Sequence, residues 1–414
     1  GITSVAMAAY VVVLGCGQVG RALLEMVELG VKVNTPNSSK QQQVRILGVF
    51  DSKHGVITDQ PPTQESLSHS PTDHHHHHHH AHGLRSSVLK AIIHLKDPKL
   101  SPSNASSRSL SKLSDEDASG CNIYDLEDAW DLVLKRCAGH HVVIVDCTAS
   151  TATSDHLAHA LREGIGVVLA NKLPISGGYG GFEHLVGYDP LFRWESTVGA
   201  GTPFVASLRR MLSAGDQVLR ITGVFSGTVG YVMTGLEDEK KLSEVVMDAK
   251  ASGFTEPDPR DDLSGLDFAR KSLILARMMG WRLEMADITL EGLVADECSP
   301  SVMTAEDFLT RGMRDHMDGP MADKVAKAKD QGQVLRYAAT IADGVCKVGL
   351  VQVDKDSPIG RLRGTDNILE IHSAIYHDSP LVIQGSGAGP HCTASGILAD
   401  SVEIFNTMAM QRHV

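Results

Sequence analysis

The sequence has no cysteine framework. Its seven cysteines, Cys16, Cys121, Cys137, Cys147, Cys298, Cys346 and Cys392, are odd in number and scattered, and no C-x-x-C pair occurs. That argues against a disulfide scaffold or a structural zinc site, both of which need closely spaced thiols, and a reducing compartment is expected. Long apolar runs are missing too: none approaches the roughly 20 residues that span a bilayer. The first ten residues carry no basic head and run straight into a strand-like segment, so no secretory leader is read there. The expected setting is cytoplasmic, or an organelle stroma where a transit peptide has been removed. There is no basic surplus either: 38 Lys and Arg stand against 50 Asp and Glu, a formal charge of -12. A nucleic-acid binder would show a basic stripe. This balance instead suits a soluble protein that holds anionic ligands with a few local cations. Internal repeats are absent.

What is present is enough for two or three domains with substantial cores, in 414 residues of which 42% are hydrophobic. Residues 10–14 (Tyr-Val-Val-Val-Leu) read as a buried strand ending in glycine. A helical pattern follows, with Val19, Leu23, Leu24, Met26 and Val27 on one face. A polar loop spans 34–43, and 44–50 reads as a second strand with Asp51 at its end. From about 58 to 120 the chain is rich in Ser, Pro, His and Asp and includes seven consecutive histidines, 74–80. Within this insert only 84–95 has a helical pattern. The histidine tract reads either as a metal binder or, the favoured reading, as a solvated low-complexity insert. Alternating order resumes with a helix at 125–136, a strand at 141–147, a helix at 154–163 and a strand at 167–170, and the pattern runs to about 194. After Pro203 the helices lengthen (243–252, 266–279, 322–331), with strands at 218–225 and 345–353 between them. This is the pattern of an α/β chain: a Rossmann-type, doubly wound parallel sheet joined to a mixed α+β domain.

The first chemical motif is Gly15-Cys16-Gly17-Gln18-Val19-Gly20. Gly15 permits a tight turn, Gly17 lets the backbone approach a pyrophosphate, and Gly20 lets the helix pack on the strand. The helix N-terminus then offers free N–H groups and a partial positive charge to phosphates. With strand, helix and second strand all in place, a dinucleotide site outweighs a tight turn that binds nothing. Asp51 stands where an acid would bond the adenine ribose hydroxyls, favouring NAD, at a greater distance from the glycines than usual because of the 34–43 loop. Lys53 and His54 follow and could face a 2'-phosphate, favouring NADP. Both cofactors therefore stay open. Thr148, Ala149 and Ser150, after a strand ending in Asp146, lie at the carboxyl edge of the sheet, where such ligands bind. Asn171 and Lys172 follow the next strand to the same edge. There a lysine could meet the nicotinamide or the substrate, though on position alone a surface lysine is as good a reading.

The second motif is the acidic segment 256–271, Glu-Pro-Asp-Pro-Arg-Asp-Asp-Leu-Ser-Gly-Leu-Asp-Phe-Ala-Arg-Lys. Its two prolines predict a rigid, non-helical start, and four carboxylates precede a helix opening near Ser264. Asp267 and Lys271, four apart, share a helical face, and a carboxylate beside a lysine can orient the ammonium and set its pKa. Composition alone favours a solvated acidic cap. The Pro-x-Pro start and the apolar helix that follows (Leu273, Ile274, Leu275, Ala276) favour a positioned site.

With these residues in hand, the chain resembles homoserine dehydrogenase. The matching stretches are 195–203 (Glu-Ser-Thr-Val-Gly-Ala-Gly-Thr-Pro), 225–228 (Phe-Ser-Gly-Thr), 256–271 and 385–389 (Gly-Ser-Gly-Ala-Gly), with the glycine turn and Asn171-Lys172 in support. The likeness covers most of 10–55 and 120–412, leaving out the histidine-rich insert. It implies reversible NAD(P)H-dependent reduction of L-aspartate 4-semialdehyde to L-homoserine, on the route to threonine, methionine and isoleucine. It further implies that Lys271 is the catalytic lysine supported by Asp267, and that Lys172 is a second active-site lysine. Glu256 and Asp262 would hold the substrate's amino group, and Thr148, the glycine turn and Gly389 the cofactor. A sodium ion is implied at Glu195, Val198, Ala200 and Thr202, whose oxygens suit a hard cation, and so is a homodimer. The domains expected are a dinucleotide-binding domain at 1–194 with 390–414, a dimerisation region at 195–202 and 335–389, and a substrate domain at 203–334. Sheet-like runs at 345–353 and 380–384 suit a two-fold interface. No ACT-type regulatory domain is read after Gly389 and no aspartate kinase domain before the glycine turn, so threonine feedback through such a domain is not expected. A free-standing enzyme and a segment of a bifunctional one both fit. The rival readings are another Rossmann-type dehydrogenase of an amino acid or aldehyde, and a non-catalytic dinucleotide sensor.

Overall fold

The computed structural model describes residues 9–30, 32–34, 41–58, 84–97, 109–114, 116–118, 120–137 and 140–411. The chain divides into two compact units, one of residues 1–174, 180–196 and 393–414, the other of 175–179 and 197–392.

Among the described residues the first unit is built on eight strands: β1 (Ala9–Leu14), β2 (Lys32–Asn34), β3 (Gln41–Phe50), β4 (His54–Thr58), β5 (Cys121–Asp125), β6 (Val142–Asp146), β7 (Gly166–Leu169) and β8 (Phe192–Arg193). Their order is β5-β4-β3-β1-β6-β7-β8, with β2 beside β3. β3, β1, β6, β7 and β8 run parallel, while at the edge β4 pairs antiparallel with β3 and β5 antiparallel with β4. Every residue of β1 and of β6 is buried. This is why both read as unbroken apolar runs rather than alternating ones, since a central parallel strand is covered on both faces. Helix α1 (Gln18–Glu28) turns Ala22, Leu23, Leu24 and Val27 inward. They join Val11, Val13, Ile46, Val143 and Val168 in one core, closed by Ile404 and Phe405 of the C-terminal helix Pro390–Gln411. Each fully buried aliphatic side chain there contributes about 1.5–3 kcal/mol by leaving water. Because the chain leaves β1 for β3 on one side and later places β6 on the other, the carboxyl ends of β1 and β6 form the switch point at which such sheets bind ligands.

The expected loop at 34–43 is in part strand: β3 begins at Gln41 and pairs antiparallel with β2. The insert read from 58 to 120 is bracketed by β4 and β5, which pair with each other. Its helical stretch is α2 (Ser86–Lys96), which buries Val88, Leu89 and Ile92 against the same core. The histidine tract 74–80, and with it the metal-binding reading, lies outside the described residues. Helices α3 (Leu126–Cys137) and α4 (Ser154–Arg162) complete the alternation.

The second unit carries a six-stranded sheet of β9 (Val218–Val224), β10 (Thr289–Leu290), β11 (Gln333–Ala342), β12 (Val345–Asp354), β13 (Asp366–Ser373) and β14 (Leu381–Ser386). The order is β10-β12-β11-β9-β13-β14, antiparallel except for the β10–β12 pair. β11 and β12 form a hairpin whose two turn residues, Asp343 (φ 52°) and Gly344 (φ 75°), both take the left-handed backbone that two-residue hairpins favour. Against this sheet packs the helix Leu266–Met278, whose buried face includes Phe268, Leu273, Ile274 and Leu275. Among the described residues no helix is long and apolar enough to cross a membrane.

Candidate functional site

In the first unit the three motif glycines occupy three different steric situations. Gly15 has φ +86°, and a Cβ there would lie 2.9 Å from the Cys147 carbonyl. A Cβ on Gly20 would lie 2.0 Å from the Gly15 oxygen, closer than atoms approach. A Cβ on Gly17 would meet nothing within 4 Å. So Gly15 and Gly20 are glycine because the fold needs it. At Gly17 the missing side chain leaves open space. Gly17 also caps α1 without a side-chain hydrogen bond, and no acid occupies the first turn. The amide groups at that end are therefore left to an anion.

The space in front of the turn is a cavity of about 510 Å³, lined among others by Gly15, Gly17, Asp51, Lys96, Trp130 and Thr148. Its mostly apolar walls include Trp130 and His156, whose rings meet edge to face at 4.8 Å, a surface suited to a planar base. The floor is set by Asp146 at the end of β6, which is fully buried. Its carboxylate accepts the Thr148 N–H at 2.8 Å, the Thr148 and Thr153 hydroxyls at 2.7 Å and the Asn171 amide at 3.0 Å. Asn171 also donates to the Ser150 carbonyl at 2.7 Å. Thr148, Ala149 and Ser150 are thereby fixed at the switch point, and the half-buried Lys172 follows Asn171 directly. Cys16 is not a nucleophile here: burial pushes its thiol up to about 12.

Asp51 sits on the cavity wall, as its place after β3 requires, but its oxygens are taken. Oδ1 accepts the backbone N–H groups of Lys53 and His54, both at 2.8 Å. Oδ2 accepts Lys96 Nζ at 2.9 Å, the Leu110 N–H at 2.8 Å and the Ser109 hydroxyl at 3.4 Å. Burial opposes its ionisation, yet the bonds from Leu110, Lys96, Lys53 and His54 outweigh it and hold the carboxyl down at about 2.

In the second unit the acidic segment is more helical than its prolines suggest. Pro259–Leu263 is a helical turn with Asp258 as its cap, accepting the Arg260 N–H at 3.0 Å, and Pro259 at the first helical position. Proline is well placed there, since that N–H has no helical partner to lose. Gly265 then takes φ +76°, and a Cβ on it would lie 2.1 Å from the Tyr337 hydroxyl. That left-handed residue starts the helix Leu266–Met278, which carries both Asp267 and Lys271. Lys271 Nζ lies 2.8 Å from Asp267 Oδ2 and donates to the Phe225 carbonyl at 2.7 Å. Its side chain is 13% exposed, against 50% for Asp267. Asp262 accepts the Glu256 N–H at 2.8 Å. Burial raises its pKa, opposed by that bond and by Thr228, while Asp267 and Asp261 add to the rise. Glu256 itself is exposed. The lysine is thus held by an acid and a carbonyl, and the same acid, Asp267, acts on Asp262, a half-buried carboxylate that retains its proton more readily than usual.

The profile for the homoserine dehydrogenase family matches residues 203–402, and that for its NAD-binding domain matches 99–181. The homoserine dehydrogenase of Emericella nidulans is 37% identical over 280 residues, covering 64% of this chain and 76% of that protein. The chain belongs to the homoserine dehydrogenase family. A bifunctional aspartokinase/homoserine dehydrogenase of Haemophilus influenzae is 39% identical over 69% of this chain and 36% of that protein, so the chain spans about a third of the bifunctional relative's length. Among solved structures, a hyperthermophilic archaeal homoserine dehydrogenase in complex with NADPH superposes with a TM-score of 0.66 over 96% of this chain and 98% of that one, at 21% identity. This likeness carries the fold: an α/β unit with a mainly parallel sheet, and a second unit with a mixed sheet.

The remaining residues carried over from the family fall on a short 3-10 helix, Glu195–Thr197, the loop that follows it, and the residue before the C-terminal helix. In the loop, Val198 is fully buried, Gly199 (φ 83°) and Ala200 (φ 56°) are both left-handed, and the Thr202 hydroxyl donates to the Ser386 carbonyl at 3.2 Å. Glu195 is buried, with its N–H on Asp400 at 2.8 Å. Gly389, with φ 109°, precedes the C-terminal helix. Among the described residues, no group of three or more His, Cys, Asp or Glu could hold a metal ion. Sequence reasoning passed over Asp146 and Lys96. Asp146 had a signal, being an acid at the end of an apolar strand and next to a threonine. Lys96 had none, because only the folding of the insert brings it to β3.

Proposed function

We propose that the chain catalyses reversible NAD(P)H-dependent reduction of L-aspartate 4-semialdehyde to L-homoserine, in the synthesis of threonine, methionine and isoleucine. The observation that carries this reading is the placement of Lys271, a well-buried ammonium held at 2.8 Å by Asp267 and at 2.7 Å by the Phe225 carbonyl. The cofactor, when bound, supplies the hydride. Lys271 donates a hydrogen bond and then a proton to the carbonyl oxygen as charge builds there. Asp267, 2.8 Å away, keeps the ammonium aimed. Glu256 and Asp262 hold the substrate's ammonium end. Lys172 is the second active-site lysine.

The residues present fit the dinucleotide. Open space in front of Gly17, the uncapped start of α1 and the aromatic wall at Trp130 suit a pyrophosphate and a base. Thr148, Ala149 and Ser150 line the same cavity, and Gly389 is taken over from the family resemblance as a further cofactor-binding residue. A sodium ion at Glu195, Val198, Ala200 and Thr202 belongs to the same reading, supported by a loop bent through two left-handed residues and by the preference of hard cations for backbone oxygens. So does a homodimer formed through 195–202 and 335–389, with 203–334 as substrate domain and 1–194 plus 390–414 as dinucleotide domain. Val382 on the edge strand β14, and Ile375 and Tyr376 nearby, are exposed apolar groups that support the dimer.

The test is an assay of the full chain with homoserine and with aspartate semialdehyde, following NAD(P)H absorbance with each cofactor. Turnover with both substrates is the expected result. Turnover only with another amino acid or aldehyde, or cofactor binding without any turnover, would overturn the assignment.

A further inference from the structure

One wall of the cofactor cavity is not explained by the glycine turn. Asp51 occupies the position from which an acid bonds the two ribose hydroxyls of an unphosphorylated dinucleotide. A carboxylate has about four lone-pair sites. Here five donors already converge on it, three of them backbone N–H groups from Lys53, His54 and Leu110. A ribose diol could bond Asp51 only by displacing these donors, and a displaced, partly buried N–H costs more than the new bond returns.

A cation is presented to the cavity instead. Lys96, the last residue of α2, lines it with a side chain 11% exposed, and Asp51 Oδ2 holds its Nζ at 2.9 Å. Ser52 lies on the same wall. The exposed Lys53 follows directly and has no ion pair among the described residues. The nearby Arg21 is spent on Glu25 (3.5 Å) and Asp97 (3.2 Å), which also removes Asp97 as a competitor for Lys96. His54 faces Asp51 and Asp125, both at 3.8 Å. One ammonium group, Lys96, and one hydroxyl, Ser109, thus reach a carboxylate whose lone pairs are occupied.

We infer that Lys96 reads a 2'-phosphate on the adenosine ribose, held in place by Asp51 as a positioning residue, so that the site takes the 2'-phosphorylated dinucleotide in preference to the unphosphorylated one. This rests on the reading of the cavity as a nicotinamide-dinucleotide site. The determinant comes from the insert between β4 and β5 rather than from the residues after β3, where such discrimination is usually sought.

The experiment is a fluorescence titration of the full chain, without substrate, by NADPH and by NADH, with 2',5'-ADP and 5'-AMP as competitors. The unaltered chain binds NADPH at least about tenfold more tightly than NADH, the range expected of one charge-assisted contact. Lys96→Met weakens NADPH and 2',5'-ADP about 10- to 100-fold while leaving NADH within about twofold, and Lys96→Arg keeps most of the preference. NADH binding in Lys96→Met is the internal control for folding. Equal affinities in the unaltered chain, or equal losses of both dinucleotides in Lys96→Met, would overturn the inference and leave the dehydrogenase assignment standing. Binding of neither dinucleotide by the unaltered chain would overturn both.

Discussion

Residues Gly15, Gly17 and Gly20 of the first unit and residues 256–271 of the second are the two chemically dense parts of the molecule, and they work by opposite means. The glycine turn functions through side chains it does not have. A Cβ at Gly20 collides with backbone and a Cβ at Gly17 meets nothing, so one absence serves packing and the other leaves room. The acidic segment functions through side chains that the helix period sets against one another, with Asp267 and Lys271 one turn apart at 2.8 Å. The first region should therefore respond to an added methyl group, and the second to a charge removed with shape kept.

The largest effect is expected from Gly20→Ala. Its Cβ would need about an ångström more room from the Gly15 carbonyl, and only backbone movement of the turn can supply that. Overpacking against backbone is expected to cost about 3 kcal/mol or more, measurable by urea denaturation. Gly17→Ala should stay within about 0.5 kcal/mol of the unaltered chain and lose dinucleotide affinity instead. If Gly17→Ala unfolds the protein while Gly20→Ala is tolerated, the division of labour among the glycines is wrong.

Lys271→Ala comes next. A group that stabilises charge only in the transition state costs about 10²- to 10³-fold in turnover when removed. The titrated affinity for NADPH should be unchanged, because the pyrophosphate and adenosine are assigned to the cavity at the glycine turn, which Lys271 does not line. Near-normal turnover, or parallel loss of cofactor binding, would break the separation of the two regions.

How far this was legible in the sequence follows the same division. β1, α1 and β6 were readable because central parallel strands and their helices bury whole apolar runs. The pairing of Asp267 with Lys271 was readable because the spacing i, i+4 is itself the geometry. The helical turn Pro259–Leu263 was missed because two prolines were read as excluding a helix, when one of them sits at the first helical position, where it does no harm. Lys96 was illegible for a deeper reason. It is 45 residues from Asp51 in sequence, and no local pattern announces an ion pair made by folding. The naming of the reaction came from resemblance along 256–271. Spacing alone permitted a solvated cap.

The smallest effect, and the sharpest test of the acidic segment, is at Asp262. Burial holds its pKa above the usual carboxylate value. A folded-state pKa above the unfolded one means that the folded chain takes up the proton first, so the contribution of Asp262 to stability declines as pH rises past the ordinary carboxylate range. At neutral pH its charge therefore opposes folding. Asp262→Asn keeps an oxygen to accept the Glu256 N–H, now 2.8 Å away, and is expected to leave the melting temperature unchanged or slightly raised. If Asp262 binds the substrate's ammonium group, the same variant should raise KM for homoserine about tenfold with a smaller change in kcat. In the unaltered enzyme KM should begin to climb, as pH falls, at a higher pH than an ordinary aspartate would give. A lowered melting temperature with unchanged KM would make Asp262 a structural residue. It would then fall to Lys271 and Asp267 to carry the chemistry of the segment.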